Sequence, residues 1–183
     1  MNESIRIYQI LDSGSKEEKI SILESLSQSR DQETINKIIT KLDDSEIQVR
    51  GEAFSSLFLN KNDISEFLID ALSVESKNVR GFSALILANR GDSNAIPAVE
   101  LLTKDPSDMV RSCALGALGH LHSTKSIAII RKCFQDKVLE VRKSAVQAFL
   151  KIGSDVLPRE VDELTNNADD ELKLLITKVL KNM

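Results

Sequence analysis

The sequence predicts an all-α fold in which six helix pairs stack in a row as an α-solenoid, and three observations predict it. The dipeptide Val-Arg recurs as Val49-Arg50, Val79-Arg80, Val110-Arg111 and Val141-Arg142, at spacings of 30, 31 and 31 residues. One further step of 31 reaches Leu172-Lys173 and one step back reaches Glu18-Lys19, so the period fills the 183-residue chain. Within each period apolar residues recur at helical spacing, and the composition favours helix: seven Gly, three Pro, one Tyr and no Trp.

The units run approximately 1–29, 30–60, 61–90, 91–121, 122–152 and 153–183, and are read as one domain. In the first, Ile7 marks one helix and Ile22 and Leu26 the next, with Ser15 and Glu18 spaced as a capping box. The second has Ile35, Ile38, Ile39 and Leu42, then the turn LDDSE, a second capping-box spacing at Ser45 and Gln48, and Val49, Ala53, Ser56 and Leu57. The third repeats this with Leu68, Val79, Ser83 and Leu87, Ser83 being the polar exception in a core-type column. Val99, the turn KDPSD, Val110, Ala114, Ala117 and Leu118 form the fourth; Ile130, Val141, Ala145 and Phe149 the fifth; Val161, Ile176 and Leu180 the sixth. Six residues before each basic position stand Ser13, Asp44, Val74, Asp105, Asp136 and Asn167, mostly turn formers. The links between units, NKND, NRGDS, HST and GSD, are short, which forces antiparallel neighbours. A pair with about a dozen residues per helix cannot bury its apolar side alone, so the pairs stack.

The segments SNAIPAVELLTKDPSDMVRSCALGALGHL (93–121) and KSIAIIRKCFQDKVLEVRKSAVQAFLKIG (125–153) resemble HEAT repeats, in particular the short HEAT-like class first noted in phycobilin lyases. The resemblance covers essentially the whole chain, most closely from Asp44 to Gly153, through the pattern D-x-x-x-x-VR-x-x-A-x-x-AL. It implies a right-handed α-α superhelix of about six HEAT-like pairs, and it is a signature of architecture rather than activity. Two enzymes of the HEAT-like class are not matched. Deoxyhypusine hydroxylase carries repeated His-Glu pairs, where this chain has Gly51-Glu52, Gly81-Phe82, Ser112-Cys113 and Lys143-Ser144. The alkylpurine DNA glycosylases grip DNA through a basic, aromatic-rich face, and this chain has net charge −4 and no Trp.

That charge balance, with lysines and arginines scattered among acids, argues against nucleic acid as a partner. Two cysteines, Cys113 and Cys133, make no disulfide framework, and no stretch of the sequence has the length and apolarity of a membrane span or the pattern of a signal peptide. A cytoplasmic protein without a cofactor or catalytic residues is expected. His120 and His122 are two apart, so on a helix they diverge by about 160° and cannot share one metal ion.

On a wheel that sets each basic residue at 0°, positions −1, +3, +6, +7 and +10 cluster between about 240° and 340°, the buried face. Arg50, Arg80, Arg111 and Arg142 stand at its edge as structural braces, pairing with Asp44, Asp105 or Asp136 in their own or adjacent turns, as HEAT families commonly do. The opposite positions, +1, +5 and +8, are predicted to line the concave side. They hold Gly51, Ser55 and Phe58; Gly81, Leu85 and Ala88; Ser112, Gly116 and Gly119; Lys143, Gln147 and Leu150. A solvated face would carry Lys, Glu and Gln, whereas this one is small and apolar. Either a partner approaches the backbone at the glycines, or the glycines permit tight helix packing. The expected function is recognition of another protein, a partner helix or peptide, with Lys143 facing an acidic group. An alternative is a lyase-like or chaperone subunit holding a small hydrophobic ligand or chromophore in the same groove. The last helix carries Leu172, Leu174, Leu175, Ile176, Val179 and Leu180, more apolar faces than a terminal cap needs, which suits a homodimer.

Overall fold

The computed structural model describes residues 3–153, 164–165 and 168–181, with side chains over 5–153, 164–165 and 168–178. The expected Val161 and Asn167, and the side chains of Val179 and Leu180, lie outside the described residues. The chain divides into two compact units, Met1–Arg90 and Gly91–Met183, at a boundary of the repeat.

The first unit holds three helix pairs: α1 (Glu3–Ser13) with α2 (Lys16–Leu26), α3 (Gln32–Thr40) with α4 (Ile47–Leu59), and α5 (Ser65–Asp70) with α6 (Lys77–Asn89). First helices form one layer, in which α3 packs on α5, and second helices another, in which α2, α4 and α6 pack in sequence. Across the first layer, Tyr8 Oη lies 3.0 Å from Thr34 Oγ1, and Asp12 receives Lys37 and Lys41. The second unit holds α7 (Ile96–Leu102) with α8 (Asp108–His120) and α9 (Ile127–Lys132) with α10 (Leu139–Ile152). It ends in α11 (Asp170–Lys181), which packs on α10. Among the described residues there is no strand, and no helix is long and apolar enough to cross a membrane.

Positions −1, +3, +6 and +7 of the wheel are core, and Ala84, Leu115 and Val146, at +4, join them. Val49, Ala53, Ser56 and Leu57 of α4 are buried, as are Val79, Ser83, Ile86 and Leu87 of α6. In the second unit the same positions, Val110, Ala114, Ala117 and Leu118, then Val141, Ala145, Ala148 and Phe149, are buried too.

Two local expectations need correction. The first helices are shorter than a dozen residues: α5, α7 and α9 have six, seven and six. Short 3-10 turns, Lys41–Asp43, Ala71–Ser73 and Cys133–Gln135, continue α3, α5 and α9. These tighten the helix end so that its last carbonyls find partners, Asp44 N–H on Lys41 O (3.2 Å) and Asp136 N–H on Cys133 O (3.1 Å). The capping box at Ser15 and Glu18 forms, but that at Ser45 and Gln48 does not. Helix α4 begins one residue later, on Glu46, because the Asp44 carboxylate already takes the Glu46 N–H at 3.0 Å.

Candidate protein-binding face

The arginine column bonds chiefly to backbone. Arg50, Arg80, Arg111 and Arg142 each donate from Nη1 to the carbonyl six residues earlier, on Asp44 (2.7 Å), Val74 (2.9 Å), Asp105 (2.9 Å) and Asp136 (2.8 Å). A carbonyl acceptor needs no particular side chain, which is why Val74 interrupts the acidic column without releasing Arg80.

Carboxylates enter from the following pair. Arg111 donates from Nε and Nη2 to the two oxygens of Asp136, at 2.8 and 2.9 Å, and Lys19 donates to Asp44 at 2.9 Å. Each aspartate also closes its own turn, accepting the N–H two residues on: Glu46 for Asp44, Ser107 for Asp105, Val138 for Asp136. Burial works to raise the Asp44 and Asp136 carboxyls, but these N–H groups and the Lys19 and Arg111 cations outweigh it and hold both below the usual range. Arg50 has no carboxylate partner among the described residues, because the following pair offers Val74 there.

The chemistry-bearing residues of 108–122 scatter. His122 follows the end of α8 in the left-handed region (φ 48°), with Nδ1 2.8 Å from the Lys151 carbonyl, while His120 is exposed on the last turn. Burial pushes the Cys113 thiol up to about 11, so it stays protonated at neutral pH, and its sulfur lies 3.6 Å from Met109 Sδ. Among the described residues no group of three or more His, Cys, Asp or Glu converges as a metal site would require.

The face opposite the core differs between the units. In Met1–Arg90, Gly51 is exposed with nothing within 4 Å of where a Cβ would stand, Phe58 is 40% exposed, and Ser55 and Leu85 are half-buried. Gly81 and Ala88 are buried and do not line an open face as expected of them. Phe54 and Phe82, not singled out by the wheel, are half-buried and meet edge to face at 6.5 Å, tying α4 to α6. Their signal in the sequence is scarcity, two of only six Phe in the chain. Arg90 was also missed; its guanidinium binds the carbonyls of Leu57, Phe58, Asn60 and Asn62 and so caps the end of α4 beside Phe58.

In Gly91–Met183 the expectation changes more. Gly119 is buried, and a Cβ on it would stand 2.7 Å from Ala148 Cα, so this glycine allows α8 and α10 to touch backbone to backbone. Lys143 is buried and not offered to a partner: its ammonium lies 3.1 Å from Glu140, 2.7 Å from Asp169 and 2.7 Å from Glu171. Asp169 and Glu171 raise its pKa further above the ordinary lysine value. Ser112, Gly116 and Leu150 are half-buried and Gln147 is exposed. Of the α11 residues, Leu172 and Ile176 are buried, Leu175 is half-buried and Leu174 remains exposed.

Comparison with known proteins supports the fold. The structure matches the complex of CpcE and CpcF of phycocyanin lyase from Nostoc sp. PCC7120 at TM-score 0.70 and 18% identity, over 82% of this chain and 99% of that one. The Escherichia coli protein YibA matches at TM-score 0.70 and 18% identity, over 98% of this chain and 70% of that one. A designed armadillo repeat protein in complex with the peptide (KR)4 matches at TM-score 0.55 and 19% identity, over 99% of both chains. These likenesses place the chain among the all-α repeat solenoids. No curated protein sequence matches it significantly. A family model described as HEAT repeats matches residues 65–150 and 97–181, more than half of the sequence, and the chain belongs to the HEAT-repeat family.

Proposed function

We propose that this chain is a non-enzymatic scaffold that receives a helix or extended peptide of another protein on the second-helix face of its Met1–Arg90 unit. The observation that carries this reading is Phe58, a large apolar side chain 40% exposed on a helix face that water alone would make polar. Leu85 stands half-buried on the neighbouring helix of the same layer, Ser55 offers a hydroxyl, and exposed Gly51 leaves the backbone of α4 open to close approach. In the Gly91–Met183 unit, taken by itself, the corresponding positions hold Ser112, Gly116, Gln147 and Leu150. A solenoid that carries a peptide has precedent in the designed armadillo protein solved with (KR)4.

A photo-crosslinking amino acid at position 55, with a control at exposed Glu33 on α3, tests the proposal in the native host. The expected result is an adduct with one protein from position 55, mapped to a single peptide and lost in Phe58→Asp. Equal labelling from position 33, or no protein adduct from 55, would overturn it. A lyase-like subunit would instead shift the absorption spectrum of an added tetrapyrrole, and a shift abolished by Phe58→Asp would replace the proposal with that reading.

A further inference from the structure

The Met1–Arg90 unit has a second apolar opening, on the layer of first helices. It is a groove of about 710 Å³ between α3 and α5, closed at one end by the turn that leads into α6. Ile39, Phe67 and Val74 supply its apolar surface, and Asp43, Asp70 and Glu75 stand exposed around it. None of its lining residues is a Lys, Arg or His.

The repeat explains why the groove opens here. Val74 occupies the position where the second, fourth and fifth pairs place Asp44, Asp105 and Asp136. Those aspartates close their own turns, and Asp44 and Asp136 also receive a cation from the preceding pair. With valine there, Arg50 finds no carboxylate, the turn lacks its Asx closure, and Val74 is left 40% exposed. An Asn78 bond to the Asp43 carboxylate, at 2.7 Å, spans the gap, and the Asp70 and Glu75 carboxylates have no partner among the described residues.

We infer that this groove is a second docking site, distinct from the Phe58 face, for a short segment of another protein that carries one aliphatic side chain flanked by Lys or Arg. The aliphatic group covers Val74 and Phe67, removing their surface from water. The flanking cations complete the charges of Asp43, Asp70 and Glu75, none of which has an ion pair among the described residues. An acidic segment is disfavoured by the same three carboxylates.

The test titrates the isotope-labelled full chain with the capped pentapeptide Lys-Arg-Leu-Arg-Lys and follows backbone amide shifts. Saturable shifts confined to residues 39–43 and 67–79 are expected, with a Kd below about 1 mM. Affinity should fall about tenfold with the Leu-to-Ser peptide and by a similar factor in the Asp70→Lys/Glu75→Lys variant. Both replaced side chains are exposed, so folding is expected to survive, and the amide spectrum reports it directly. Equal affinity for the Leu and Ser peptides would reduce the effect to attraction between a basic peptide and an acidic chain and overturn the inference. So would shifts centred on Phe58 and Leu85, no response to the charge reversal, or movement of the groove amides on concentrating the protein alone, which would make a second copy the occupant.

Discussion

Ser83 is fully buried in α6 with no hydroxyl partner among the described residues, in a column where Ala53, Ala114 and Ala145 occupy the equivalent core positions. A buried hydroxyl without a partner forfeits its bonds to water for nothing, so Ser83→Ala is expected to stabilise the protein by about 1 kcal/mol, read as a higher denaturation midpoint with unchanged m. Ser56 is the counter-case, because its hydroxyl donates to the Leu23 carbonyl at 2.9 Å. The glycines separate in the same manner. Gly119→Ala drives a methyl to 2.7 Å from the Ala148 backbone and should cost about 2 kcal/mol net. Gly51→Ala meets nothing and should gain up to about 1 kcal/mol from helix propensity. The two glycines look alike in the sequence, both on the face opposite the core. A helical wheel supplies an angle about one axis and says nothing of how near the next axis lies, so packing and exposure could not be told apart without coordinates.

At the scale of elements, the turns between paired helices carry the electrostatics. The Arg111 and Asp136 side chains are 8% and 13% exposed, and their two-bond contact joins the fourth pair to the fifth. Asp136→Asn keeps the shape but removes the charge, leaving a nearly buried guanidinium unpaired, at a cost of about 3 kcal/mol near neutral pH. The pH dependence has a defined sign. The folded Asp136 carboxyl lies below its unfolded value of about 3.9, so its contribution is complete above that value and is lost as pH falls through the folded pKa. The stability difference between wild type and Asp136→Asn should therefore stay constant above about pH 5 and shrink below about pH 4, as denaturant titrations at each pH would show. A gap unchanged down to pH 3 would mean that the carboxylate charge is not what the arginine needs. The arginine column was legible as a repeated Val-Arg with a repeated acid. Its principal acceptor was not, because a backbone carbonyl leaves no mark in side-chain spacing, and Val74 could be recognised as a break in the acidic column but not as the wall of a groove.

At the scale of the whole molecule, the 31-residue period was legible because every interior pair meets the same kind of neighbour and must present the same buried positions to it. The shortness of α5, α7 and α9 was not, since a 3-10 turn and the last turn of an α-helix share their residue preferences. The same periodicity governs how the chain should open. In a repeat array each pair contacts only its neighbours, so stability is a sum of local contributions and damage in one place need not spread evenly. Phe149 is fully buried in α10, its ring centre 5.2 Å from that of Phe134, and Arg131 lies 4.9 Å over it. Phe149→Ala should cost about 3–5 kcal/mol. Native-state hydrogen exchange of this variant should show protection falling by most of that amount in α8 and α10, while amides of α2 and α4, in the other compact unit, lose much less. An equal fall at every slow amide would show that the 183 residues unfold as one cooperative body, and the division after Arg90 would then be geometric without being energetic.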